Sequence, residues 1–318
     1  MKPILICPHE RPAVPLLSEN EPLSNAPLLG HSILEYWLSH LACSGVKETL
    51  ILSSDRPEQV QALVGNGSRW GIAVEVSSEI KEMTPEQALA RYGASASSPD
   101  SAATAVTLDH FPGLPEYPLF ASYAQCYAAL QAWMPRAQTP DRVGMRELQP
   151  GVWVGLHGHI SPKAELRAPC WLGDNVFVGQ GAIVGPGTVL ESGAFIEADA
   201  LVESSYIGPS TFVGKYVRVK ESLARGDTLV DWQTDLQTKV TDAFLLCSFG
   251  PVRAKRAGAT LLERLADFCA AWKEDQSVWQ QALLLKRGAH AEPAPAAADQ
   301  FMEMSPRARS SKDMTLTP

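Results

Sequence analysis

The stretch CPHERPAVPLL, Cys7 to Leu17, follows a short apolar run at a point where α/β domains commonly carry a glycine-rich phosphate loop. Such a loop works through backbone N–H groups and through the positive φ that glycine tolerates. This one has no glycine and three prolines, Pro8, Pro12 and Pro15, which have no N–H and a fixed φ. The side chains left to meet an anion are His9 and Arg11. Asp109 closes the run TAVTLD, where a strand-end carboxylate could ligate Mg²⁺ or serve structure alone. His157 and His159, two apart, would share one face of a strand and could bind a metal. No histidine follows them until His290, which favours two ordinary solvated side chains. RAKR, Arg253 to Arg256, could hold a phosphate, although a solvated basic turn is the plainer reading. RARSSK near the end is too short and isolated for a nucleic-acid site.

The elements that would position these residues are legible in the first half of the chain. ILIC predicts a strand, and SILEYWLSHLACSG a helix with Ser32 as N-cap and Gly45 as its stop. Ile33, Leu34, Trp37, Leu38 and Leu41 fall on one helical stripe. KETLILSS, RPEQVQALVG and GIAVEVSS continue as strand, helix and strand, with Pro57 in the first helical turn. That alternation predicts parallel pairing in a doubly wound sheet. GASASSPDSAA reads as a linker, TAVTLD as a fourth strand and LFASYAQCYAALQAWM as a helix.

At 318 residues the chain can hold two domains, and 45% apolar with 19% charged residues fits a globular protein. A formal charge of −8 argues against generic nucleic-acid binding. No run of about 18 apolar residues exists, so no membrane span is expected. The N-terminal apolar stretch is too short for a signal peptide. Six cysteines without CxxC spacing predict reduced, mostly buried thiols and a cytoplasmic protein.

From Ile160 the pattern changes. Ile160, Leu166, Leu172, Val178, Val184, Leu190, Ile196 and Val202 recur every six residues; the register then slips by one, and Ile207, Val213 and Val219 continue it. Small residues precede most of them by two positions, among them Ala164, Cys170, Ala182, Thr188, Ala194 and Ala200. Glycine often follows, at 173, 179, 185, 208 and 214, and is expected to serve the turns. This hexapeptide repeat predicts a parallel β-helix of about four coils, with three faces per coil. GQGAIVG has the glycine spacing of a dinucleotide loop, yet each glycine sits at its hexad position. The missing coil histidine also speaks against a hexapeptide acyltransferase. VTDAFLLCSF predicts a closing strand, ATLLERLADFCAAW and SVWQQALLLKRG predict capping helices, and the Ala/Pro-rich end predicts disorder.

An α/β domain followed by hexapeptide coils resembles the sugar-1-phosphate nucleotidylyltransferases, such as the mannose-1-phosphate guanylyltransferases. The likeness is strongest over Pro27 to Val76, where Gly30, Leu34, Glu35, Gly45, Gly65, Gly67, Ser68, Trp70 and Gly71 match the family pattern. TLDH, with Asp109, resembles the family's metal-holding strand end, and GVWVGLHGHISPKAELRAPCWLGDNVFVG resembles the start of its β-helix. The resemblance covers most of residues 1–225. It implies a G-G-x-G-T-R-like loop and a later P-K pair for nucleotide phosphates. Aligned without a gap, that loop falls on CPHERPA, its arginine on Ala13 and its lysine on Leu23. Only about 40 residues separate Asp109 from the first coil, where the family uses on the order of 100 for the sugar-phosphate pocket.

The expected architecture is therefore α/β plus β. It comprises a truncated, doubly wound nucleotidyltransferase-like domain (1–148), a left-handed β-helix (151–225), a C-terminal strand and helical cap (226–288) and a disordered tail (289–318). The left hand is implied by the family. The expected role is a catalytically silent homologue, a regulatory or scaffold subunit of sugar-nucleotide or surface-polysaccharide metabolism. The alternative is an active, divergent enzyme that joins an NTP to a sugar 1-phosphate with Mg²⁺. Vestigial nucleotide or sugar-nucleotide contacts would fall to His9 and Arg11, and a vestigial metal to Asp109. Outward aromatics Phe177, Phe195, Tyr206, Phe212 and Tyr216 predict assembly through the β-helix, with a second copy or an active nucleotidylyltransferase relative, or cover for the chain's other parts.

Overall fold

The computed structural model describes residues 2–93, 104–136 and 145–249. The expected capping helices, the tail and the Arg253–Arg256 turn lie outside them. The first part runs β1 (Ile4–Ile6), α1 (Pro15–Ser18), β2 (Pro27–Leu28), β3 (His31–Ser32), α2 (Ile33–Cys43), β4 (Glu48–Ser53), α3 (Pro57–Val64), β5 (Ala73–Ser78), α4 (Pro85–Tyr92), β6 (Ala105–Thr107) and α5 (Tyr123–Trp133). Helix α1, the β2–β3 hairpin and α4 are additions to the elements expected. Helix α2 starts where a capping box permits: the Glu35 N–H donates to Ser32 Oγ (3.1 Å), and the Ser32 N–H donates to the Glu35 carboxylate (2.9 Å). It ends before Gly45, whose φ of +78° closes the turn.

Four strands pair in the order β5-β4-β1-β6, all parallel. Alternation sends Ile4, Ile6, Leu50 and Leu52 to one side, against Ala88 of α4. Leu5 and Ile51 face the other side, with residues of α2, α3 and α5. Helices thus cover both faces, and the strand order reverses between β1 and β6. A crevice at such a reversal is the usual ligand position in an open α/β sheet.

The repeats form three ladders of parallel strands. The first carries Val152–Val154, Cys170–Leu172, Thr188–Leu190, Tyr206–Ile207 and Ser222–Arg225. His159–Ile160, Phe177–Val178, Phe195–Ile196 and Thr211–Val213 make the second. Glu165–Leu166, Ile183–Val184, Leu201–Glu203 and Arg218–Lys220 make the third. The stacked parallel sheets form a β-helix, with Leu172, Val178, Val184, Leu190, Ile196, Val202, Ile207 and Val213 fully buried inside. The one-residue slip is real and local: Trp171 pairs with Val189, eighteen residues on, while Val189 pairs with Tyr206, seventeen on. A corner at Ser204 with φ of +46° takes up the difference.

The glycines that follow the repeat positions serve close approach more than turning. A Cβ on Gly173 would lie 2.8 Å from the Ser192 nitrogen, and one on Gly179 would lie 2.6 Å from the Ala198 nitrogen. Neither has a positive φ. The left-handed corners belong instead to residues such as Asn175, Asp199 and Ser210. Antiparallel strands finish the barrel: Thr228–Asp231 and Leu236–Lys239 extend the first ladder, and Leu246–Ser248, within the expected closing strand, pairs with Thr211–Val213.

Each ladder shows one outward column. In the first it reads Trp153, Trp171, Val189, Tyr206, Leu223, and these pack into one core with α2, α3 and α5. Tyr206, expected among the outward aromatics, is therefore 2% exposed, and its hydroxyl donates to the Pro27 carbonyl (2.8 Å). The fully buried Glu191 carboxylate accepts the N–H groups of Leu29 and Gly30 at the hairpin tip, at 2.5 and 2.9 Å. Arg225 donates to the carbonyl of Leu17 (3.1 Å) and pairs with Glu21, while Tyr127 stacks on Trp232 at 4.7 Å. The third column reads Glu165, Ile183, Leu201, Arg218 and is flanked by Arg167–Glu203–Lys220 ion pairs. The second is taken up below.

Candidate functional site

The loops after β1 and β6 meet the crevice at the strand reversal, and they carry His9, Arg11 and Asp109. The loop after β1 has an anion of its own. Glu82, from the loop between β5 and α4, accepts both Arg11 guanidinium nitrogens at 2.7 and 2.6 Å and the His9 N–H at 2.9 Å. Arg11 also donates to the His9 carbonyl (3.1 Å), which ties the loop to itself. Burial opposes the Glu82 charge, but Arg11 and the His9 N–H more than offset it, so its pKa lies below the ordinary value. The hydrogen bond to Glu82 raises the pKa of Arg11, and the charge of Asp109 adds to that.

Two further N–H groups of the loop are engaged within the protein. The Val14 N–H goes to the Arg11 carbonyl (3.1 Å) and the Leu16 N–H to the Tyr123 hydroxyl (3.0 Å). Three prolines contribute none. Leu23, on the position of the family's lysine, is fully buried, and Ala13, on its arginine, is an exposed methyl. Cys7, at the end of β1, is buried, and burial pushes its thiol up to about 12, so it is no thiolate nucleophile at neutral pH. The nearby Arg56 is held by Asp55 (2.8 Å) and the Ser18 carbonyl (2.9 Å).

Asp109, on the loop after β6, has its side chain half exposed. Its Oδ1 lies 2.7 Å from His110 Nδ1, and Trp37 holds His110 by donating to its carbonyl at 2.9 Å. Mg²⁺ calls for several oxygen ligands. Among the described residues no three His, Cys, Asp or Glu side chains gather in a way that could hold a metal. The donors at Asp109, one carboxylate beside an imidazole, do not fit Mg²⁺. His157 sits in a left-handed corner and His159 stacks on Phe177 at 5.3 Å, so the pair does not converge.

His9 and Arg11 stand on the loop after β1 and Asp109 on the loop after the neighbouring β6, near enough for the Asp109 charge to act on Arg11, but the residue that organises the β1 loop is Glu82. Its place in SSEIKEMT, just before the Thr84 N-cap of α4, carries no sign of that role. No helix among the described residues is long and apolar enough to cross a membrane.

No protein-family model matches the chain, and neither does any curated protein. Solved structures with some likeness include the acetyltransferase domain of PglB from Neisseria gonorrhoeae FA1090, at 12% identity and a TM-score of 0.25, over 56% of this chain and 79% of that one. The same domain in complex with acetyl coenzyme A is similar at 9% identity and a TM-score of 0.20, over 57% and 97%. A mutant perosamine N-acetyltransferase from Caulobacter crescentus, in complex with CoA and GDP-perosamine, is similar at 13% and 0.16, over 57% and 93%. Identities and TM-scores this low carry nothing about activity.

Proposed function

We propose that this chain is a nucleotidyltransferase-like protein of sugar-nucleotide or surface-polysaccharide metabolism whose α/β domain performs no catalysis. Its work is then that of a regulatory or scaffold subunit. The metabolic context comes from the family resemblance across residues 1–225. One observation carries the silence: the Glu82 carboxylate occupies the donors of the β1 loop where a nucleotide phosphate would need them. A phosphate entering there must displace an internal anion held by a bidentate guanidinium. An active loop would instead leave its donors free for charge that develops on the leaving pyrophosphate.

The test is pyrophosphate release from a panel of NTPs and sugar 1-phosphates with Mg²⁺ present. The expected result is no turnover above the protein-free control with any pair. Robust turnover that disappears in Asp109→Ala would establish the active, divergent enzyme instead.

A further inference from the structure

The segment Glu79–Thr84, between β5 and α4, is fixed at both ends. At one end the Glu79 N–H donates to the Ser53 carbonyl (2.9 Å), and the Glu79 carboxylate accepts Arg91 (2.9 Å) and the Tyr92 hydroxyl. At the other, Met83 packs against the cluster of Ile4, Ile6, Leu50 and Leu52, and Thr84 caps α4 through the Gln87 N–H. Between these anchors Ile80 is 95% exposed and Lys81 is exposed, so neither buries surface that would hold the segment down. Glu82 is what ties it to the loop after β1.

The Glu82 contact has the form of an anion site whose anion is supplied from within. Three donors converge on one carboxylate: Arg11 Nη2 on Oε1 at 2.6 Å, and Arg11 Nη1 and the His9 N–H on Oε2 at 2.7 and 2.9 Å. A guanidinium fork with a backbone N–H beside it suits a carboxylate or a phosphate. The Arg11 and Glu82 side chains are 33% and 22% exposed, and a pair this open to water adds little to stability.

We infer that Glu82 is an autoinhibitory contact: it closes an anion site made by the Arg11 guanidinium and the His9 N–H, and a phosphate-bearing ligand opens that site by taking its place. This control rests on the silent reading of the α/β domain and gives that domain a ligand to respond to. The class of ligand follows from charge. A carboxylate ligand would bring the same charge and the same two oxygens as Glu82, and it would compete with a group tethered at high effective concentration. A terminal phosphate group carries nearly two charges and three acceptor oxygens, one for each donor. Release asks only for rotation of the Glu82 side chain, since the backbone on both sides has its own anchors. The positions where the nucleotidyltransferase pattern calls for an arginine and a lysine hold Ala13 and Leu23, so Arg11 builds this site without them.

Isothermal titration of the full chain with inorganic phosphate and with inorganic pyrophosphate, at constant ionic strength and without added metal, tests this. Glu82→Ala should bind pyrophosphate at least about tenfold more tightly than the wild type does. A smaller gain for phosphate would mark a diphosphate-bearing ligand, and an equal gain a monoester. Arg11→Ala added to Glu82→Ala should remove the gain, and Ile80→Ala, on the same segment, should leave the wild-type affinity unchanged. Glu82→Gln, which keeps the volume and removes the charge, should fall between wild type and Glu82→Ala, and circular dichroism checks that each variant is folded. No gain in the folded Glu82 variants overturns the inference, and so does a gain that survives the loss of Arg11. If neither Glu82 variant folds, the contact is a structural support and the inference falls as well. The titration contains no NTP, so its failure is told apart from pyrophosphate release by the wild type, which would overturn the silent reading instead.

Discussion

Trp171 and Phe177 are one hexad apart, both point outward, and both stand in stacked columns, yet their surroundings differ. Trp171 is 1% exposed beneath the α/β domain and shares a core with Leu5 and Ile51, while Phe177 is half-buried and stacks on His159 and Phe195 in its own column. Around Trp171 the covered face is anchored by polar groups: Tyr206 on the Pro27 carbonyl, Glu191 on the hairpin tip, Arg225 on the carbonyls of α1. The column of Phe177 is built on stacked rings. Equivalent repeat positions therefore carry different burdens, and the α/β domain's docking decides which column becomes core.

The sharpest way to break this comparison is the matched pair Trp171→Ala and Phe177→Ala. Truncating the tryptophan should cost about 3–5 kcal/mol of folding stability, as for a fully buried aromatic. The phenylalanine should cost less than half as much, since its cavity opens to water. Urea denaturation read by far-UV circular dichroism checks both, and equal losses would dissolve the distinction between the two faces.

Acid should attack the covered side next. Burial alone would raise the Glu35 carboxyl, but the His31 side chain, the Ser32 N–H and the charges of His31 and Arg69 more than offset it and bring it to about 2, against an ordinary 4.5. A pKa depressed by folding contributes stability that is whole above the unfolded value and is lost as pH falls through the folded one. Stability should thus drop by on the order of 3 kcal/mol between about pH 4.5 and pH 2. Thermal melts across that window, compared with Glu35→Gln, check it: the variant should start lower and lose less.

Glu191→Gln is expected to have a smaller effect. It keeps the volume but sets an amide among hairpin N–H donors that the carboxylate now satisfies, a loss of about 2 kcal/mol. Hydrogen exchange at Leu29 and Gly30 should speed up, while amides of the second ladder keep their protection. Uniform loss across both regions would mean that the carboxylate supports the whole fold and not the docking alone.

Much of this was legible from residue types and spacing. The inward positions from Leu172 to Val213 follow the hexad, and the slip after Val202 shows as a shortened corner. Helix α2, with Ser32 at its cap and Gly45 beyond its end, follows from local chemistry. The hairpin at Pro27–Ser32 escaped because two-residue strands give no periodicity to read, and α4 because its apolar face is small. The spacing of the repeat glycines suggests turn formers; close contact between coils, which a single strand does not reveal, explains them better.

What the sequence by itself determined is local or periodic: strand and helix types, the inward face of every coil, and a β1 loop whose prolines cannot cradle a phosphate. Those properties depend on residues a few positions apart, where the backbone's own geometry sets which side chains share a face. The tertiary structure alone decided that Glu82 holds Arg11, 71 residues away, and that Glu191 reaches Leu29, 162 residues away. It also decided that Tyr206 is core while Phe195, on the second ladder, stays half-buried. Such pairings arise only when the α/β domain closes on one of three similar faces, and no local period distinguishes those faces in advance.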